Sequence, residues 1–132
     1  MNDLIERLEK ATDANDRNLD LAIYEFLGAK PPTEDRPLYW TAPGGGPQHY
    51  ESLIPDYTGS IDNALTLVPT SAQWSLEADT AWVRWMGKDD VEEAQGGFNG
   101  REGTCTALAL CIAAIKARVA INNQRQSGRM SP

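Results

Sequence analysis

Apolar positions recur at helical spacing in four stretches of this chain and alternate in a fifth. Leu4, Ile5, Leu8 and Ala11 make one face of a short helix over residues 2–11, with Glu6, Arg7, Glu9 and Lys10 on the other. The run 13–16 holds cap and turn formers and breaks the pattern. Leu19, Ala22, Ile23, Phe26 and Leu27 then stripe a second helix, residues 17–27, which Gly28 closes. Ser60 is placed to cap a third, whose Ile61, Ala64, Leu65 and Val68 share a face before Pro69 stops it. The last helix is the clearest. Leu108, Cys111, Ile112, Ile115 and Val119 form its stripe, and Ala107, Leu110, Ala113, Ala114 and Ala117 make the remaining surface small or apolar. A helix apolar nearly all round is buried. It should run from about 104 to 122, with Thr104 or Thr106 as cap and Lys116 and Arg118 near its negative end.

Between the third and fourth helices the period changes to two. Residues 73–77 alternate, residues 80–86 are β-branched and aromatic, and the Ala78-Asp79 step predicts a hairpin. Trp82 and Trp85, three apart, point to opposite faces of their strand. Residues 91–95 read as a polar edge strand, and 96–103 as a flexible glycine-rich connection. The prediction is an α+β fold, a three-layer α/β/α sandwich. Its small antiparallel sheet is covered by the C-terminal helix and a short N-terminal helical pair. One domain spans 1–123, followed by a flexible tail over 124–132.

Residues 29–58 fit neither period. They carry six of the chain's eight prolines, Gly44-Gly45-Gly46, the sole histidine, and Tyr39, Trp40, Tyr50 and Tyr57. This stretch is too aromatic for a plain linker. It reads as an ordered excursion in which residues 38–41 and 48–52 pair across a glycine-rich tip. Long excursions in compact domains are usually functional or mobile.

Composition narrows the classes. The 132 residues suit one domain with its own core. A net charge of −7 argues against binding a nucleic-acid backbone, which needs clustered cations. Cys105 and Cys111, six apart on one helix, lie on different faces and should not bridge each other, which fits a reducing cytoplasm. The start of the chain lacks a signal-peptide pattern, and the longest apolar run, 107–115, is too short for a bilayer. A cytoplasmic protein without membrane association is expected.

Three blocks resemble the phage ABA sandwich domain, a family of small phage and prophage proteins. They are Thr106-Ala107-Leu108-Ala109-Leu110-Cys111-Ile112-Ala113-Ala114-Ile115-Lys116-Ala117-Arg118; Tyr57-Thr58-Gly59-Ser60-Ile61-Asp62-Asn63-Ala64-Leu65-Thr66-Leu67-Val68-Pro69 with Trp74-Ser75-Leu76; and Leu4 to Thr12, through Leu19-Asp20, to Leu27-Gly28. Their order covers most of the chain, and residues 29–56 and 87–103 depart from it. The resemblance implies helices on both faces of a sheet, a viral origin and action in the cytoplasm of an infected bacterium. It brings no catalytic residues.

Chemistry is sparse. His49 near Glu51 and Asp56 could form a His–carboxylate cluster, but loop acids beside a histidine are commonly just solvated; Cys105 could pair with His49, against the plainer reading of a packed thiol. Neither makes a persuasive metal or catalytic site, and no enzyme activity and no cofactor are expected. Two anion-binding places stand out. Arg101, Thr104 and Thr106 flank the last helix's N-terminus, although the same residues suit an ordinary cap after a loop. Arg36 with Tyr39, Trp40, His49 and Tyr50 could stack a base and hold a phosphate, and Arg84 on the sheet could meet a ligand or a second subunit. The expected function is therefore non-catalytic: a phage sponge sequestering a nucleotide-derived signal of bacterial defence, with a homo-oligomeric state. The alternative is a protein-interaction module inhibiting a host protein or assembling with phage components, anchored by the same aromatic excursion.

Overall fold

A computed structural model describes residues 2–11, 17–77, 80–87, 89–97 and 106–130. The elements run α1 (Asn2–Glu9), α2 (Arg17–Phe26), β1 (Trp40–Thr41), β2 (Gln48–His49), a 3-10 turn (Glu51–Leu53), α3 (Ile61–Leu65), β3 (Gln73–Leu76), β4 (Thr80–Met86), β5 (Val91–Gly97) and α4 (Thr106–Met130). The chain is α+β. One antiparallel sheet has the order β3-β4-β5, and β1 and β2 form a separate two-stranded ribbon.

The periodicities explain the layers. Residues 107 to 115 of α4 are all buried, so neighbours cover this helix on every side. Strands β4 and β5 pack on one side of it; α1 and α3 pack elsewhere on it. The order of the three layers is thus sheet, α4, then the shorter helices, with α4 in the middle. Ala81 and Val83 of β4 and Ala94 of β5 point into this core. Trp82, Arg84, Glu93 and Gln95 lie on the sheet's other face, where Arg84, Glu93 and Gln95 are exposed. The resemblance implies helices on both sides of the sheet; here the face carrying Arg84, Glu93 and Gln95 meets water, as antiparallel sheets commonly allow.

Contact between β5 and α4 is backbone-close. A Cβ at Gly96 would lie 2.2 Å from the Ala109 carbonyl oxygen and 2.8 Å from the Ala113 nitrogen. Gly96 and Gly97, expected in a flexible loop, are strand residues, and Gly96 is a packing residue.

Two further differences concern α4. It continues to Met130 rather than ending near Asn122, so the segment from 124 read as a tail is helical up to that point. Lys116 and Arg118 are consequently mid-helix. Their charges serve neighbours: Lys116 Nζ reaches Glu9 Oε2 (3.1 Å) and the Gln95 carbonyl (3.0 Å). The stretch Thr106–Gln124 is long and apolar enough to cross a bilayer, but 56% of it is buried inside the fold, as befits a core helix.

The 29–58 excursion is ordered. Its ribbon pairs Trp40 with His49 and Thr41 with Gln48, and an isolated bridge joins Lys30 to Thr41. Arg17 of α2 clamps the following turn by donating to the carbonyls of Ile54 (2.9 Å) and Glu51 (2.5 Å).

Candidate functional site

Four segments that are remote in sequence meet around a cleft of about 640 Å³. Helix α2 ends there with Phe26 and Leu27. The Pro69-Thr70-Ser71 turn forms a second wall, the end of β4 supplies Trp85 and Met86, and α4 supplies Arg118, Ile121, Asn122 and Gln124. This volume lies in the range of small-ligand sites. Each segment is placed by an ordinary rule. Gly28, at φ 108°, turns the chain after α2. Ser71 has φ 75°, the sole positive φ at a non-glycine among the described residues, and it turns the chain into β3.

Arg118 is the cleft's cation. Its Nε donates to the Leu67 carbonyl (2.5 Å) and its Nη2 to the Thr66 carbonyl (3.4 Å), satisfying oxygens at the end of α3. Among the described residues it makes no ion pair. Burial lowers its pKa, slightly offset by Tyr57, yet a guanidinium stays charged. In the same cleft, the buried Trp85 indole N–H has no hydrogen-bond partner among the described residues. Such orphans are uncommon in native folds.

Among the described residues, none of the expected ligand-binding positions lines this cleft, and they are not gathered into one site. Arg36 is exposed on the excursion. Trp40, expected to face a ligand or partner, is instead 5% exposed and packs against Tyr24, ring centroids 5.9 Å apart. His49 is half-buried and held from both ends. Its Nδ1–H donates to the Tyr50 carbonyl (2.8 Å), which leaves Nε2 to accept from the Tyr24 hydroxyl (2.7 Å). That is a structural role, in place of the expected ligand contact or carboxylate cluster. Tyr39 and Tyr50 remain on the surface and stack with centroids 5.1 Å apart. Arg84 sits on the outer sheet face, 3.8 Å from the Trp82 ring and 2.5 Å from Glu93 Oε1, so its charge is already met. Thr106 is the first residue of α4; Arg101 and Thr104 lie outside the described residues, as does Cys105. Among the described residues no group of three His, Cys, Asp or Glu side chains could hold a metal ion.

No protein-family model, curated protein or solved structure matches this chain.

A second polar centre shows how the excursion is tied down. Asp20 of α2 is fully buried, and its Oδ1 accepts from both the N–H (2.8 Å) and the hydroxyl (2.9 Å) of Thr58. Burial raises the Asp20 pKa; the two Thr58 bonds oppose this, and the nearby Asp56 carboxyl adds to it. Next to it, Tyr57 is pushed up to about 12, first by burial and then by Tyr24, Asp20 and Cys111. The Cys111 thiol donates to the Tyr57 carbonyl (3.1 Å), which accounts for a buried thiol structurally. This centre is packed shut, whereas the cleft is open. There, a guanidinium can hold an anion, two amides can both donate and accept, and aromatic faces can take a planar ring.

The cleft was not legible in the sequence. From the sequence Arg118 reads as a cation near a helix end, Phe26 as part of a helix stripe, and Trp85 as one of two strand tryptophans on opposite faces. No local motif joins positions 26, 71, 85 and 118. The usable signal is negative: Arg118 follows the longest apolar run of the chain by three positions, with no acidic residue within four positions on its helix.

Proposed function

We propose that this protein is a non-catalytic binder of a small, anionic, nucleotide-like molecule held in the α2–β4–α4 cleft. The observation that carries this reading is Arg118, a half-buried cation without an ion pair among the described residues, lining the same cleft as Phe26, Trp85 and two side-chain amides. An anion on the guanidinium and a ring against an aromatic face is the minimal chemistry of nucleotide recognition. With the proposed phage setting, retention without turnover amounts to sequestration of a defence signal in the infected cell. Calorimetry with cyclic dinucleotides and ADP-ribose derivatives tests it. At least one should bind, be recovered intact after denaturation, and lose about tenfold or more in affinity with Arg118→Gln, the scale of one charge-assisted contact. Absence of heat with every member of the panel, or recovery of a cleaved product, defeats the reading.

A protein partner is the second reading. Tyr39, Tyr50, Leu38 and Leu53 are exposed on the excursion, at 38%, 54%, 64% and 69%. Aromatic surface of this kind anchors interfaces. Capture of a stoichiometric host protein that is lost with Tyr50→Ala would favour it over the cleft.

A further inference from the structure

The two edges of the β3-β4-β5 sheet are treated differently. Glu77 and Thr80 exchange both backbone hydrogen bonds, Glu77 N–H to Thr80 (2.8 Å) and Thr80 N–H to Glu77 (3.3 Å). Antiparallel pairs alternate, so the register fixes the direction of every peptide group in the sheet. On β5 the carbonyl of Gln95 must point outward, and Lys116 Nζ is found on it at 3.0 Å. That edge is guarded further by adjacent Glu92 and Glu93 and by the Gln124 side chain on Glu92. On β3 the N–H and C=O groups of Trp74 and Leu76 point outward, and no hydrogen bond from the described residues meets them. This edge has no charge within the strand, no proline and no bulge, the usual devices against pairing. Trp74 is 45% exposed although its position lies on the sheet face that packs on α4.

We propose that β3 pairs with β3 of a second copy of this chain, antiparallel across a two-fold axis at Ser75, making a continuous six-stranded sheet. The segment is complementary to itself in this register. Trp74 meets Leu76 of the second copy and Leu76 meets its Trp74, so all the outward peptide groups of these residues are used. The two exposed indoles gain aliphatic cover on the α4 side. Gln73 faces Glu77 of the second copy, an amide opposite a carboxylate, and no like charges oppose each other. A two-fold contact also closes, leaving no free β3 edge to propagate.

Sedimentation at micromolar concentration should give the mass of two chains, and Trp74→Lys should give one chain with unchanged far-ultraviolet circular dichroism. A disulfide scan reads the register independently of that variant's folding. Ser75→Cys places two thiols across a non-hydrogen-bonded pair with Cα atoms about 4.5 Å apart, within disulfide reach, and should cross-link on mild oxidation above the wild-type background. Gln73→Cys, several residues from its own counterpart, should not. Wild-type protein sedimenting as one chain overturns the proposal. So does a dimer in which Ser75→Cys fails to cross-link, since another surface then holds it.

Discussion

Asp20 shows what a single buried carboxyl does to the pH response of this fold. Its side chain is tied to Thr58, and burial, reinforced by Asp56, favours the protonated form. A carboxyl whose pKa is raised on folding contributes stability that is fully present below the unfolded value and is lost as pH rises through the folded one. Asp20→Asn keeps an acceptor for Thr58 and removes the ionisation. The wild type should therefore lose stability relative to Asp20→Asn as pH rises from about 4 toward neutrality. Urea midpoints of both proteins across that window measure this, and a pH-independent difference would show that Asp20 ionises normally. Nothing in the sequence marked Asp20 as buried. An acid on a helix next to Leu19 reads as surface until the Thr58 backbone, thirty-eight positions on, supplies the partner. Trp40 is the opposite case. A tryptophan amid prolines and glycines reads as exposed, and only the Tyr24 ring from another element covers it.

At the level of elements, periodicity was the reliable guide. Both N-terminal helices, the Ser60-capped helix and the three strands occur close to where apolar spacing put them, because each buries one face and the spacing records which. Ser60 does accept from the Asn63 N–H, at 3.4 Å. Element ends were less legible. The last helix outruns its apolar stripe to Met130, and β5 extends into glycines that local preference assigns to a loop. Gly96 is in the strand because the helix lies against it. Gly96→Ala should cost about 1–3 kcal/mol, the usual penalty of overpacking, since the nearest atoms are α4 backbone and cannot rotate away. A urea midpoint settles the size. Gly45→Ala is the control for glycine conformation alone: its φ is 74°, but a Cβ there meets nothing within 4 Å.

For the whole molecule the decisive fact is that the most buried helix separates the sheet from the remaining helices. Ile112 lies against β5 and Cys111 against Tyr57, on neighbouring positions of one helix. The two sides share this helix and should unfold together. Ile112→Ala on the sheet side and Leu8→Ala in α1 should each lose about 2–5 kcal/mol and lower one common transition. Tryptophan fluorescence and circular dichroism should report coincident midpoints; separate midpoints would mean that the layers are independent. The α+β class was readable because each layer has its own period. The candidate cleft was not, because it exists only where the ends of several layers meet.

The central position of α4 has a consequence for synthesis. Segments made on a ribosome emerge in order, at about 5–20 residues per second, and commonly fold as they appear. Here the strands emerge before the helix that must cover them. Until residues 107–115 leave the exit tunnel, Ala81, Val83 and Ala94 have no core to enter, and both edges of the sheet stand open. The nascent chain thus passes through a stretch of time, set by the ribosome rather than by folding rates, in which it is a natural client for chaperones.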